Sequence, residues 1–483
     1  MSKFFSNMAK VSTSTLMGQL IGLIVTPVLS RIYSPADFGI FQLFVSIVGV
    51  IAPIACLSYY YAIILPEKNE DSANVVILCL FLIAVTAFVT TIFFYVFMGP
   101  IEQYLNSPGF SLYLPLLPLA ILFSGYAYIF GYWASKKEQY GEIAKANVYS
   151  TFTGKGFSIG YGILGPTPFG LILGSIINDA TIVFILIKKA FADFSLFYRT
   201  SYEKIKEMVI RYKKFPQYSL GADLAGSVAI QFIPFALAFN FSAAIIGYYA
   251  MAYTILRLPT RLIGNAIGTV FFQQASLEKN QTGGIKMVVK SVYTRLISLG
   301  IFICLVLMIA GPEIFSFILG PQWETAGLYA QILAPSFFVS FIAFPLAYIY
   351  PVLEKQSISF WFNLILLISS VFALIVGGLM HSPVISMILL SVTGTIFWGW
   401  MNMYSLKIAG VSLADAGYEI VRHLIFGLVV CLPLFIAIFL SFPSVIIIAI
   451  IALVSIVYYL IVIYRDTGLR NGLLKIVKDL IHR

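Results

Sequence analysis

From about residue 11 onward the chain alternates between apolar runs of some twenty residues and short polar breaks. Runs of that length match the hydrocarbon thickness of a bilayer when wound as helices. Fourteen spans are predicted, at about 11–33, 37–64, 74–98, 111–134, 141–163, 168–188, 216–240, 243–271, 288–310, 326–352, 357–379, 384–405, 424–441 and 444–464. The runs are continuous rather than alternating residue by residue, which sets aside a closed β-barrel. Pro27, Pro53, Pro234, Pro259 and Pro345 fall inside spans. They predict kinks whose freed carbonyls must be satisfied by neighbouring helices or water. The basic then apolar start, "MSKFFSNMAKVSTSTLMGQLIGLIVTPVL", lacks a clear small-residue cleavage site and reads as a retained first span.

Composition agrees with this pattern. The chain is 60% hydrophobic and 10% charged, too little charge to cover a soluble protein of 483 residues. With the N-terminus in the cytoplasm, nearly all of the thirty lysines and arginines fall in inner connections and tails. The expected orientation therefore has both termini cytoplasmic. The longest inner segment is "KKAFADFSLFYRTSYEKIKEMVIRYKK", residues 188–214. Its part from 202 to 214 reads as a basic amphipathic helix lying on anionic lipid, as does the C-terminal "GLLKIVKDLIHR".

A repeat organises the spans. "SPADFGIF" (34–41) resembles "SAAIIGYY" (242–249) at an offset of 208. Leu112-Tyr113 matches Leu328-Tyr329 and Asn147 matches Asn363, both at an offset of 216. Six spans per copy is an even number, so the copies share one orientation and enclose a cavity between them. The fold expected is all-α and polytopic, with about fourteen transmembrane helices: two six-helix lobes around a central cavity plus two C-terminal helices. The expected divisions are an N-terminal lobe at 1–190, a basic cytoplasmic linker at 191–215, a C-terminal lobe at 216–405, and two further spans with a basic tail at 406–483.

Charges inside the membrane carry the candidate chemistry. They are Lys155, Asp179, Arg257 and Arg261, with Asp223 and Arg295 nearer the cytoplasmic side and Arg31 closing the first span. Ionisable groups at such depth face water-filled cavities or pair with each other. Lys155 with Asp179 is one candidate pair. Asp179 and Asp223 are candidates for a proton or Na⁺ site that couples transport. Arg257 and Arg261, four residues apart, share a helix face and present forked donors suited to phosphate oxygens. The excess of positive charge points to an anionic substrate. The spans are also aromatic, with 42 Phe and 29 Tyr and clusters such as "YYY" at 59–61. Such rings stack on sugars but also belong at membrane interfaces. Four cysteines without CxxC spacing and three scattered histidines suggest neither a disulfide framework nor a metal site. No nucleotide-binding motif and no nucleophile motif is found, so no cofactor, no nucleic-acid partner and no enzyme activity is expected.

"LSRIYSPADFGIFQLF", with Arg31, Pro35 and Gly39, resembles the first outer turn of bacterial polysaccharide (O-antigen type) flippases of the multidrug/oligosaccharidyl-lipid/polysaccharide exporter superfamily. "IIGYYAMAYTILRLPTRLIGNAIGTVFFQQAS", with Gly247, Tyr249 and Ala252, resembles their eighth span. The resemblance runs diffusely from about residue 5 to 405. It implies two six-helix lobes around a V-shaped cavity in a bacterial inner membrane. It also implies alternating access that turns a polyprenyl-diphosphate-linked oligosaccharide, the repeat unit of a surface polysaccharide such as the O-antigen of lipopolysaccharide, to the outer leaflet. On that analogy Arg31, Arg257 and Arg261 are cavity cations, with Lys155 a weaker candidate. A monomer that hands its product to polymerising machinery is the expected working unit. Fourteen spans rather than twelve also occur in lipid II flippases of the superfamily, which leaves the glycan open. Two rivals are kept: a cation-coupled multidrug extruder of the same superfamily, and a membrane glycan polymerase or ligase.

Overall fold

The computed structural model describes residues 2–190, 194–282, 284–353, 355–466 and 470. Every described element is helical. The first are α1 (Ser2–Ile32), α2 (Pro35–Ile54), α3 (Asn69–Tyr104), α4 (Leu117–Lys136), α5 (Tyr140–Leu164) and α6 (Pro168–Ala190). Two short helices, α7 (Phe194–Tyr198) and α8 (Tyr202–Arg211), precede α9 (Leu220–Asn240), α10 (Ala243–Leu256) and α11 (Asn265–Thr282). Then come α12 (Lys286–Leu319), α13 (Glu324–Leu346), the single turn α14 (Ile349–Val352), α15 (Gln356–Leu379), α16 (Pro383–Ile408), α17 (Leu413–Phe439) and α18 (Ser444–Arg465).

Among the described residues, eleven helical stretches are long and apolar enough to cross a membrane. The other three predicted spans fall on α1, whose apolar stretch is the shorter Met17–Ile32, on α5, which carries Lys145 and Lys155, and on the interrupted α10–α11. The chain forms two compact units, Met1–Ala250 and Met251–Arg483. Within the first, α9 packs closely on α2: a Cβ on Gly49 would run into the side chain of Gln231.

In the first unit, α2 opens on a capping box. The Ser34 hydroxyl accepts from the Asp37 amide (3.2 Å) while the Asp37 carboxylate accepts from the Ser34 amide (2.9 Å), with Pro35 in the first helical position. The repeated segments then meet. A Cβ on Gly39 would strike the Ala243 carbonyl, and one on Gly247 would strike the Pro35 carbonyl. At the offset of 208, Pro35 is the counterpart of Ala243 and Gly39 of Gly247. Each glycine therefore touches the counterpart of its own neighbour, the reciprocity that a two-fold relation between copies requires. Small residues that let backbones touch are how membrane helices gain packing where lipid offers no hydrophobic drive. The same device joins α5 to α6, where a Cβ on Gly154 would lie 2.6 Å from the Gly174 carbonyl.

The basic amphipathic helix departs from expectation. α8 buries Met208, and Ile205 and Val209 pack on the core of the first unit. The Ser201 hydroxyl caps it (3.3 Å), and Arg199 and Lys204 reach Glu70 at the start of α3 (3.2 and 3.7 Å). Its apolar face is spent on protein, not on lipid. The similar segment at 472–483 lies outside the described residues.

In the second unit, α12 kinks at Ala310 (φ −128°, ψ 27°), just before Pro312. Pro312 has no N–H to offer the Met308 carbonyl four residues back. The Gln331 side-chain amide from α13 donates to that carbonyl instead (2.5 Å), as intramembrane proline requires. The two C-terminal spans are firmly packed. Tyr458 stacks on Phe302 (4.4 Å between ring centroids), and Tyr458 and Tyr459 each donate to an α12 carbonyl, Ser298 and Leu299, at 2.9 Å.

Candidate functional site

The intramembrane charges divide between the two units. Arg31, Lys155, Asp179 and Asp223 lie in the first, Arg257 and Arg261 in the second. Arg31 stands exposed in the last turn of α1.

Lys155 from α5 and Asp179 from α6 line one cavity of about 300 Å³, to which α2 and α4 also contribute walls. Ser124 faces the Asp179 carboxylate. The wall is held by Ser158, whose hydroxyl donates to the Gly154 and Gly170 carbonyls (both 3.1 Å) and whose own carbonyl accepts from Tyr33 (2.6 Å). No ion pair among the described residues joins Lys155 to Asp179. The two groups share a space, and the ion pair considered for them from the sequence is not made there. The cavity has room for several waters, each occupying roughly 30 Å³, and unpaired ionisable groups at this depth need such solvation.

Asp223, in the first turn of α9, is clamped. Its carboxylate accepts from the Ser58 hydroxyl (2.6 Å), the Tyr60 hydroxyl (3.0 Å) and the Tyr61 hydroxyl (3.2 Å). These donors come from the turn after α2. There Leu57 and Ser58 take left-handed backbone conformations (φ 52° and 60°) and lead into a 3₁₀ turn over Tyr59–Ile63. Such conformations are costly for residues with a Cβ and persist where surroundings over-determine them. Two tyrosines of the "YYY" cluster, Tyr60 and Tyr61, thus serve a carboxylate 162 residues or more away, a link with no sequence signal. Asp223→Ala removes the acceptor of three hydroxyls, two of them on buried residues. It is expected to destabilise the protein by about 1–3 kcal/mol, read as a lowered thermal midpoint in detergent, with Asp223→Asn less affected. An unchanged midpoint for the alanine variant would remove the clamp.

Arg257 and Arg261 sit where the predicted eighth span breaks. α10 ends at Leu256, and a π-helical turn over Thr260–Gly264 leads into α11. Pro259 causes the break by denying an amide to the carbonyl four residues back, and single π turns of this kind mark functional sites. The backbone still carries the Arg261 amide onto the Arg257 carbonyl (3.0 Å), so the two side chains keep a common face. Arg257 is half-buried. Its guanidinium lies over the Tyr253 and Phe344 rings (5.3 and 5.5 Å to the centroids) and donates to the Tyr253 hydroxyl (2.5 Å). Rings on two sides fix the fork and leave donors free. Arg261 is exposed. No carboxylate among the described residues pairs with either arginine. Tyr253 escaped the sequence reading although it stands four residues before Arg257, the helical spacing that brings side chains together. Phe344, on α13, left no such trace.

Residues 28–328 match the model of a family described as polysaccharide biosynthesis protein. No curated protein matches the chain. Among solved structures, the lipid II flippase MurJ in an inward closed conformation aligns at 18% identity with a TM-score of 0.67, covering 94% of this chain and 99% of that one. An inward-facing multidrug resistance MATE family transporter of the MOP superfamily aligns at 16% identity with a TM-score of 0.56, covering 83% and 96%. At such identities the likeness is one of fold: a two-lobed, all-helical membrane protein.

Proposed function

The chain belongs to this family of polysaccharide biosynthesis proteins, and from that premise we propose that it is a flippase. It turns a polyprenyl-diphosphate-linked oligosaccharide from the inner to the outer leaflet of the bacterial cytoplasmic membrane by alternating access. The observation that carries this reading is the Arg257–Arg261 pair: two guanidiniums on one face of a broken intramembrane helix, without a carboxylate partner among the described residues. A diphosphate offers the oxygens that two forks bind best. Arg31 and Lys155, in the first unit, are further candidate cations for an anionic cargo. Asp179, in the solvated cavity beside Lys155, is the candidate for a coupling H⁺ or Na⁺ site. The family's association with polysaccharide synthesis supports a glycan as the cargo attached to the diphosphate. In this reading the protein makes and breaks no covalent bond. It works as a monomer beside the machinery that polymerises its product.

The test is mass spectrometry of lipid-linked saccharides in a host lacking the protein, resolved by leaflet. Polyprenyl-diphosphate oligosaccharides accumulating on the cytoplasmic side, and cleared by the restored gene, are expected. Completed units reaching the outer leaflet with only polymer missing would transfer the assignment to a polymerase or ligase. No change in any such lipid would favour drug extrusion.

A further inference from the structure

A second basic pocket lies far along the chain from the arginine pair. It opens between α12, α17 and α18 with a volume of about 280 Å³, and Arg295, Arg422, Arg465 and His423 line it together with Thr294 and Ser298. The first part of α12, the first part of α17 and the last residue of α18 come together here, so the pocket sits at one end of three spans. The distribution of lysine and arginine assigns that end to the cytoplasm.

The charges do not cancel. Asp466 accepts from Arg295 Nε (3.0 Å). Glu419 is shared between Arg422 (3.4 Å) and His423 (3.5 Å), both contacts long and one within a single helix turn. Arg465 meets no carboxylate among the described residues; its guanidinium lies over the Phe426 ring at 5.4 Å. Three guanidiniums and one carboxylate, Asp466, therefore line a space several times the roughly 30 Å³ of a water. The walls are rigid, because Tyr458 and Tyr459 tie α18 to α12 through the Ser298 and Leu299 carbonyls. Away from the pocket, Val421, Ile425 and Leu428 on α17 and Leu460 on α18 are exposed apolar side chains. In a bilayer these faces meet acyl chains.

We propose that this pocket binds the phosphate group of an anionic lipid, the headgroup held by Arg422, Arg465 and Arg295 and the tails lying along the outer faces of α17 and α18. Guanidinium forks suit phosphate oxygens, and basic pockets between membrane helices on the cytoplasmic side are built for anionic headgroups. The apolar path for the tails favours a lipid over a soluble phosphate. The site is independent of the flippase reading and stands or falls separately from it.

The experiment measures thermal stabilisation of the full-length protein in detergent by dioctanoyl phosphatidylglycerol, by dioctanoyl phosphatidylcholine and by inorganic phosphate. Phosphatidylglycerol is expected to stabilise the wild type saturably, with phosphatidylcholine inert. The double variant Arg422→Gln/Arg465→Gln is expected to bind it at least about tenfold more weakly. Thr294→Leu, which fills the pocket and keeps every charge, is expected to weaken binding as well, and serves where the double variant fails to fold. Stabilisation by inorganic phosphate equal to that by phosphatidylglycerol, lost in the same variants, would overturn the lipid assignment in favour of a soluble phosphate. Equal response to both lipids, or variants that bind as the wild type does, would overturn the site altogether.

Discussion

Replacing Arg257 and Arg261 together by alanine is expected to abolish transport, by about 100-fold or more, while folded protein remains in the membrane. Hydrogen bonds to charged groups contribute about 1.5–3 kcal/mol each. Losing two of them exceeds two factors of ten at about 1.4 kcal/mol per factor. The readout is the flipping rate of a polyprenyl-diphosphate saccharide in proteoliposomes, with the amount of surface glycan in cells beside it. The two arginines are not equivalent controls. Arg257 packs between Tyr253 and Phe344, so its alanine variant also loses contacts and some stability. Arg261 is exposed and lies over no ring among the described residues. Arg261→Ala should therefore leave the thermal midpoint unchanged while transport falls, which separates substrate binding from folding. Lysine at both positions keeps the charge but not the fork and is expected to restore part of the rate. Normal surface glycan from the double alanine variant would refute the assignment.

The same residues show which parts of the molecule were legible in advance. Apolar runs fix where helices lie, because a membrane leaves the backbone no other way to satisfy itself than helix or closed barrel. Runs do not reveal where helices break. The π turn over Thr260–Gly264 and the kink at Ala310 depend on which carbonyl a proline orphans and on which side chain, such as Gln331, arrives to satisfy it. Amphipathicity announced α8 but not its docking place, since an apolar face reads alike whether lipid or protein covers it. Charge placement revealed Lys155 and Asp179 as intramembrane groups. Their common cavity, and the three hydroxyls on Asp223, are long-range facts that one sequence without partners does not encode locally.

The repeat was legible as a pattern, the structure adds the contact between its copies' first turns, and that contact yields the second large effect. Gly39→Ala and Gly247→Ala are each expected to destabilise the protein, by about 1–3 kcal/mol or more, although alanine is the better helix former by roughly 1 kcal/mol. Each new Cβ would overlap a backbone carbonyl, which cannot rotate away as a side chain would. Gly160 on α5 is the control: a Cβ there meets nothing within 4 Å, so Gly160→Ala is expected to be neutral or stabilising. Thermal midpoints of the purified protein separate these outcomes. The reciprocity adds a sharper test. If Gly39 and Gly247 hold one crossing, either substitution already spreads the two helices, and the second has little left to disrupt. The double variant should then fall short of the sum of the singles by at least about 0.5 kcal/mol, the range in which touching residues couple. Strict additivity would mean that the two glycines relax independently, and the matched segments would then be similar in sequence without sharing one two-fold contact.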